Sequence, residues 1–222
     1  MSKSAAKILI LYAVFLFGFP IASVQAEKGR FRARVLESTG QVELAWRGTI
    51  AKPMAKRFRQ AVKRYWDDGH RDFVISLNSG GGKLKQARRV SRLIKRIMSR
   101  GGEVITRVGA GQVCGSACIP IFLHSNVREV SVASLWKFHE VTKPDRDRKG
   151  YKFLRPNRTR QLFKKVFIPA GVSVAWIASI ERKVSGVDYW LTGKELRDSR
   201  SGIGTRYTSN IRRRKKISGI LD

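Results

Sequence analysis

Phe73-Val74-Ile75-Ser76-Leu77-Asn78-Ser79-Gly80-Gly81-Gly82 passes from an apolar, partly β-branched run to three consecutive glycines. The apolar part has strand length, and the glycines admit positive φ and a sharp change of direction. From Lys83 onward, Leu84, Ala87, Val90, Ile94 and Ile97 recur at helical spacing and mark one buried face. The segment reads as strand, glycine turn, helix. The other face of that helix carries Lys83, Lys85, Arg88, Arg89, Arg92, Lys95 and Arg96, more cations than a salt-bridge pattern requires.

The unit then repeats. Gly101-Gly102 stops the helix, Glu103–Val108 reads as a strand, and Gly109 to Gly115 forms a second glycine-rich turn before the helical segment Ser116-Ala117-Cys118-Ile119-Pro120-Ile121-Phe122-Leu123. Successive strand, turn and helix units predict an α/β fold with a right-handed parallel or mixed sheet. Its loops gather along one edge, where such proteins place their sites, so the site should use both glycine turns.

Upstream, Phe31 to Ile50 alternates as a β-hairpin about Thr39-Gly40, and Lys52 to Trp66 is helical, with Met54, Phe58, Ala61, Val62 and Tyr65 on one face. Downstream, Arg128–Val132 and Leu135–His139 are strand candidates, and the charged stretch Lys143–Gly150 is a loop. Arg158–Phe167 and Val172–Lys183 are helical and Tyr189-Trp190-Leu191 is extended. Thr192 caps a short helix through Leu196, with Glu195 at the capping-box position.

With 222 residues, 42% hydrophobic and 28% charged, the chain suits one compact domain, assigned to residues 27–210. Residues 1–26 have the layout of a secretory signal peptide: Lys3 and Lys7, an apolar run from Ile8 to Ala22, and Val24-Gln25-Ala26 before Glu27. The alternative is an uncleaved membrane anchor, against which the short run and its Gly18 and Pro20 weigh. Either reading places the folded part outside the cytoplasm, in a bacterial periplasm. Loss of Lys3 and Lys7 lowers the formal charge from +30 to +28. That excess, with the basic tail at 211–222, suits an anionic polymer or a membrane surface, or is simply a solvated basic exterior.

Cys114 and Cys118 are four residues apart, and in an exported protein they either form a disulfide or remain two thiols. His124 and His139 lack zinc spacing relative to them, so no metal site is expected. Gly109-x-Gly111-x-x-x-Gly115 misses the dinucleotide spacing and no phosphate-loop lysine follows, so no cofactor is expected either.

The triple glycine can direct backbone N–H groups toward a developing negative charge, or be only a tight turn. Ser116, between small residues at a helix start, is either an exposed nucleophile or a helix cap. Of the three histidines, His70 lies in a polar turn and His124 follows an apolar helix. His139 ends a strand beside the glycine turns, where it could take a serine proton; spacing alone leaves a core or surface imidazole equally open. Asp188, set before Tyr189-Trp190, is either the carboxylate that orients such an imidazole or a surface loop acid.

Together these segments resemble the proteolytic subunit of Clp protease and its exported relatives in the crotonase-like superfamily. Leu77-Asn78-Ser79-Gly80-Gly81-Gly82 is similar to the family's strand-end motif, with Gly80 replacing a proline. Gly111-Gln112-Val113-Cys114-Gly115-Ser116-Ala117 resembles its nucleophile turn with one extra residue. Trp136-Lys137-Phe138-His139 resembles its histidine strand, and Asp188-Tyr189-Trp190-Leu191-Thr192-Gly193-Lys194-Glu195 the segment opening with its aspartate. The paired cysteines around the serine resemble a subgroup of periplasmic proteins.

The resemblance covers about residues 40–205. It implies Ser116 as nucleophile, His139 as base and then acid, Asp188 as its orienting partner, and the N–H groups of Gly82 and Ala117 as an oxyanion hole. The implied activity is serine hydrolysis of a peptide or other acyl substrate. The segment between His139 and Asp188 does not resemble the handle that builds Clp rings, so no ATPase partner is implied, although a homo-oligomer stays compatible with the family. Two alternatives share the fold: a non-catalytic protein that engages anionic polymer or the envelope surface, and crotonase chemistry on coenzyme A esters, which are scarce outside the cytoplasm.

Overall fold

The computed structural model describes residues 29–144 and 152–209. The proposed signal peptide, the basic tail and nearly all of the charged loop at 143–150 lie outside the described residues. Strands β1 (Arg30–Val35) and β2 (Val42–Arg47) form the expected antiparallel hairpin, with Arg30 opposite Arg47 and Val35 opposite Val42. On β2, Val42, Leu44 and Trp46 are buried, the period-2 pattern of a sheet covered on one face.

Helix α1 (Lys52–Asp67) admits Pro53 in its first turn, where no N–H is needed, and buries Met54, Phe58 and Val62. The Phe58 ring sits 5.1 Å from Phe31 and 6.3 Å from Trp46. Strand β3 (Phe73–Asn78) is buried on both faces until Asn78, as a central parallel strand should be. Helix α2 (Leu84–Met98) then lays Ala87, Val90, Ile94 and Ile97 on the core, and β4 (Val104–Val108) completes the second strand.

The glycine-rich stretch before Ser116 is not all turn. Val113–Gly115 forms a short strand, β5, and helix α3 (Cys118–Phe122) begins two residues after Ser116, with every residue buried. The remaining elements are β6 (Val127–Ser131), β7 (Leu135–Phe138), β8 (Thr142–Pro144), β9 (Lys152–Leu154), α4 (Pro156–Leu162), α5 (Val174–Lys183), β10 (Tyr189–Thr192), α6 (Gly193–Asp198) and β11 (Arg206–Thr208).

Strands run β1-β2-β3-β4-β6-β11 in one six-stranded sheet, parallel except for the β1–β2 pair, and β10-β7-β5 in a second. The β8–β9 ladder supports the base of the charged loop. After α4 the chain widens into a π-helical turn (Phe163–Phe167), which buries both of those rings, and closes through a 3-10 turn to left-handed Gly171. Thr192 and Glu195 form the expected capping box of α6. No helix among the described residues is long and apolar enough to cross a membrane.

Two features fix distant segments. Cys114 and Cys118, both fully buried, are joined in a disulfide with Cα atoms 5.3 Å apart, tying β5 to α3. Arg128 on β6 is buried among carbonyls: Nε donates to Ile203 at 2.7 Å, Nη1 to Ser125 at 3.0 Å, and Nη2 to Ala170 at 2.9 Å and Gly202 at 3.1 Å. Burial pushes this guanidinium below its ordinary pKa, and the carbonyl dipoles replace the water it has lost.

Arg128→Met should destabilise the fold by about 3 kcal/mol in denaturant melts, because four buried carbonyls lose their donor; an unchanged midpoint would show that water replaces it. Replacing both cysteines by alanine should cost about 2 kcal/mol, the loop-closure value for so short a crosslink, measured by thermal unfolding against the oxidised parent.

Glu43 contributes a pH dependence to stability. Burial raises its pKa, but hydrogen bonds from Ser76 and Arg34, with the charges of Arg34 and Arg107, outweigh this and leave it below the usual 4.5. The stability it confers is therefore present above pH 4.5 and lost as pH falls through the folded-state value. The stability gap between the parent and Glu43→Gln should narrow as pH drops below 4.5; a constant gap would refute the assignment.

Candidate active site

The two glycine turns are bonded to one another. Ser79 N–H donates to the Val113 carbonyl at 2.6 Å, Gly115 N–H donates to the Ser79 carbonyl at 2.9 Å, and Asn78 Oδ1 accepts from Val113 N–H at 3.1 Å. On the other side, Ile50 N–H donates to Gly81 and Lys83 N–H donates to Ile50, each at 2.8 Å. In a parallel bridge of this kind the flanking residues do the bonding, so the N–H of Gly82 itself is turned away from Ile50.

Gly81 has φ 117°, and a Cβ there would lie 2.6 Å from Ser116 Cβ and 3.2 Å from its Oγ. Only glycine allows the turn to press so closely on the serine. Ser116 is itself left-handed, with φ 51°, an unfavourable conformation for a residue bearing a side chain. It is held by its N–H to the Lys137 carbonyl at 3.0 Å, its carbonyl to Ile119 N–H at 3.1 Å, and the disulfide on either side. A strained strand-to-helix turn of this type exposes a hydroxyl at a sheet edge.

Strand β7 supplies the opposite wall. Trp136 and Phe138 are buried, while Lys137 and His139 share the other face. Gly82, Ser116, Ala117, Lys137 and His139 line one cavity of about 360 Å³, whose apolar side includes Phe163 and Phe167. The His139 Nδ1 lies 2.5 Å from the carbonyl of Glu140. A carbonyl can only accept, so Nδ1 carries the proton and the neutral ring keeps Nε2 as its basic nitrogen.

Asp188 is placed differently from the other sequence-predicted residues. It is absent from the cavity lining, its side chain is 54% exposed, and its carboxylate accepts from Lys137 Nζ at 3.1 Å. The β10–β7 ladder ends where Tyr189 pairs with Phe138, and Asp188 and His139 are the next residues beyond that end. The Glu140 carbonyl thus occupies the position on the imidazole expected for Asp188.

Lys137 was not singled out from the sequence. A signal was present, since strand alternation puts it on the face of His139; the structure adds that it pairs with Gly115. His70 packs edge-on against Tyr65 and His124 meets the Pro120 carbonyl, both outside this cavity. Among the described residues, no group of three or more His, Cys, Asp or Glu side chains gathers in a way that could hold a metal ion.

The sequence matches no family model and no curated protein. Solved structures do match. The 1510-N membrane-bound stomatin-specific protease, solved as a serine-to-alanine variant, aligns with a TM-score of 0.57 at 15% identity over 77% of this chain and 78% of its own. The same protease was solved as a lysine-to-alanine variant with a substrate peptide. ClpP1 from Listeria monocytogenes aligns with a TM-score of 0.54 at 20% identity over 73% of this chain and 88% of its own. An enoyl-CoA hydratase from Mycobacterium marinum aligns with a TM-score of 0.55 at 12% identity over 81% and 77%. The chain therefore has the fold that the Clp protease and crotonase structures share.

Proposed function

We propose that this protein is a serine hydrolase of the peptidase type, working outside the cytoplasm without an ATPase. The observation that carries the reading is the left-handed Ser116, pressed against Gly81 and sharing a cavity with His139. In this mechanism Ser116 Oγ attacks the acyl carbon while His139 Nε2 takes its proton. The N–H groups of Gly82 and Ala117 receive the oxyanion. The imidazolium then protonates the leaving amine, and water activated by the same ring releases the acyl group. Asp188, next to the end of the ladder that His139 also adjoins, stabilises the imidazolium once it exchanges Lys137 for the ring. The fold likeness to two proteases and the buried disulfide, a bond that persists in oxidising compartments, support the assignment.

A second choice of base is favoured by one observation: Lys137 lines the same cavity and pairs with Gly115, beside the serine. The stomatin-specific protease was likewise altered at a serine and a lysine. In this chain Lys137 Nζ donates to the Asp188 carboxylate at 3.1 Å, so the amine would have to leave that partner before it could act on Ser116.

Fluorophosphonate labelling separates these readings. The oxidised parent should label, Ser116→Ala should not, His139→Ala should slow labelling at least about 100-fold, and Asp188→Asn should slow it as well, while Lys137→Ala keeps most of the rate. Loss in Lys137→Ala with retention in His139→Ala would reassign the base. A folded, oxidised parent that does not label would refute hydrolysis in favour of a binding role.

A further inference from the structure

A second, larger cavity of about 720 Å³ opens between α2 and the α4–π segment. One wall carries Arg88, Arg92 and Lys95; the other carries Arg155, Arg158 and Lys165. Arg88 to Lys95 and Arg158 to Lys165 each span seven positions, the first about 10 Å of α-helix and the second running from α4 into the π-helical turn. Among the described residues no Asp or Glu lines the cleft, and none of these six side chains makes an ion pair. Acids are spent nearby instead: Arg160, on another face of α4, has Glu181 at 3.3 Å. The floor includes Pro120 and His124, and burial pushes His124 toward its neutral form.

The cleft is continuous with the site. Leu84, Val141, Thr142 and Leu162 line both it and the Ser116 cavity. Taking the hydrolase reading as its premise, we infer that this cleft binds an acidic stretch of an extended peptide substrate whose scissile bond lies at Ser116. An extended chain sends successive side chains to opposite sides, and here both sides are cationic walls. Bound carboxylates relieve the repulsion the two walls otherwise sustain. Among the described residues the lining has no Phe, Tyr or Trp on which a nucleobase could stack, and its one imidazole, His124, is tied to the Pro120 carbonyl; a recess between two helices is poorly shaped for a flat lipid surface.

The test uses Ser116→Ala, which cannot cleave, and fluorescence anisotropy of a short labelled Glu-rich peptide beside its Gln-rich isostere, a single-stranded oligonucleotide and phosphatidylglycerol vesicles. The Glu-rich peptide should bind best, with affinity falling as salt rises. Adding Arg88→Ala and Arg158→Ala together should weaken it roughly tenfold, whereas Arg89→Ala, outside the cleft, should not. In protein with Ser116 intact, the bound peptide should slow fluorophosphonate labelling, and this protection should vanish in the double arginine variant. Equal binding of the Gln-rich peptide, stronger binding of oligonucleotide or vesicles, or indifference to the arginine pair would overturn the inference. Acidic-peptide binding by a protein that never labels would refute the hydrolase premise and leave the specificity of the cleft standing; labelling without peptide binding would do the reverse.

Discussion

Everything around Ser116 rests on the joint at Ser79. One residue at the end of β3 donates to Val113 and accepts from Gly115, so two turns from separate strand–helix units become one piece of backbone. Its hydroxyl also accepts from Gly81 N–H at 3.1 Å, which fixes the glycine turn in the posture that touches the serine. The hairpin joins through Ile50. Three consecutive units of the sheet therefore converge on a patch a few residues wide, and the left-handed serine is tolerated because its surroundings leave no other conformation open.

The charge distribution follows an economy of carboxylates. With 16 acids against 46 lysines and arginines, the acids serve structure first. Glu43 holds Arg34 and Ser76 across neighbouring strands, Glu129 holds Arg107, and Glu195 closes the cap of α6. What remains of the positive charge is exposed where no local acid answers it, most densely between α2 and α4. Stability and surface potential are thus set by different residues, and one can change without the other.

The alternating hairpin, the helical periodicity of α1 and α2, the glycine turns and the Thr192–Glu195 box were legible in the sequence because each is a local pattern with a local cause. Ser116, Gly82, Ala117 and His139 were legible through their motifs and share one cavity. Strand β5 was not, because its three residues pair with β7 and are bonded by Asn78 and Ser79, all distant in sequence. Strand β11 holds only Tyr207 as an apolar anchor and exists because β6 offers it an open edge. The partner of Asp188 was equally hidden, since a carboxylate one strand over can reach either Lys137 or His139 and sequence does not choose between them. The π-helical widening after Leu162 has no local signal that we can identify.

The disulfide around Ser116 has a temporal meaning as well as a static one. One crosslink, anchored four residues apart, brackets a left-handed residue that is not glycine. A newly made chain that has not met an oxidant lacks it, and its serine is free to relax into an ordinary right-handed turn. The crosslink that adds stability to the finished molecule thereby also sets the moment at which its cavity takes its working shape.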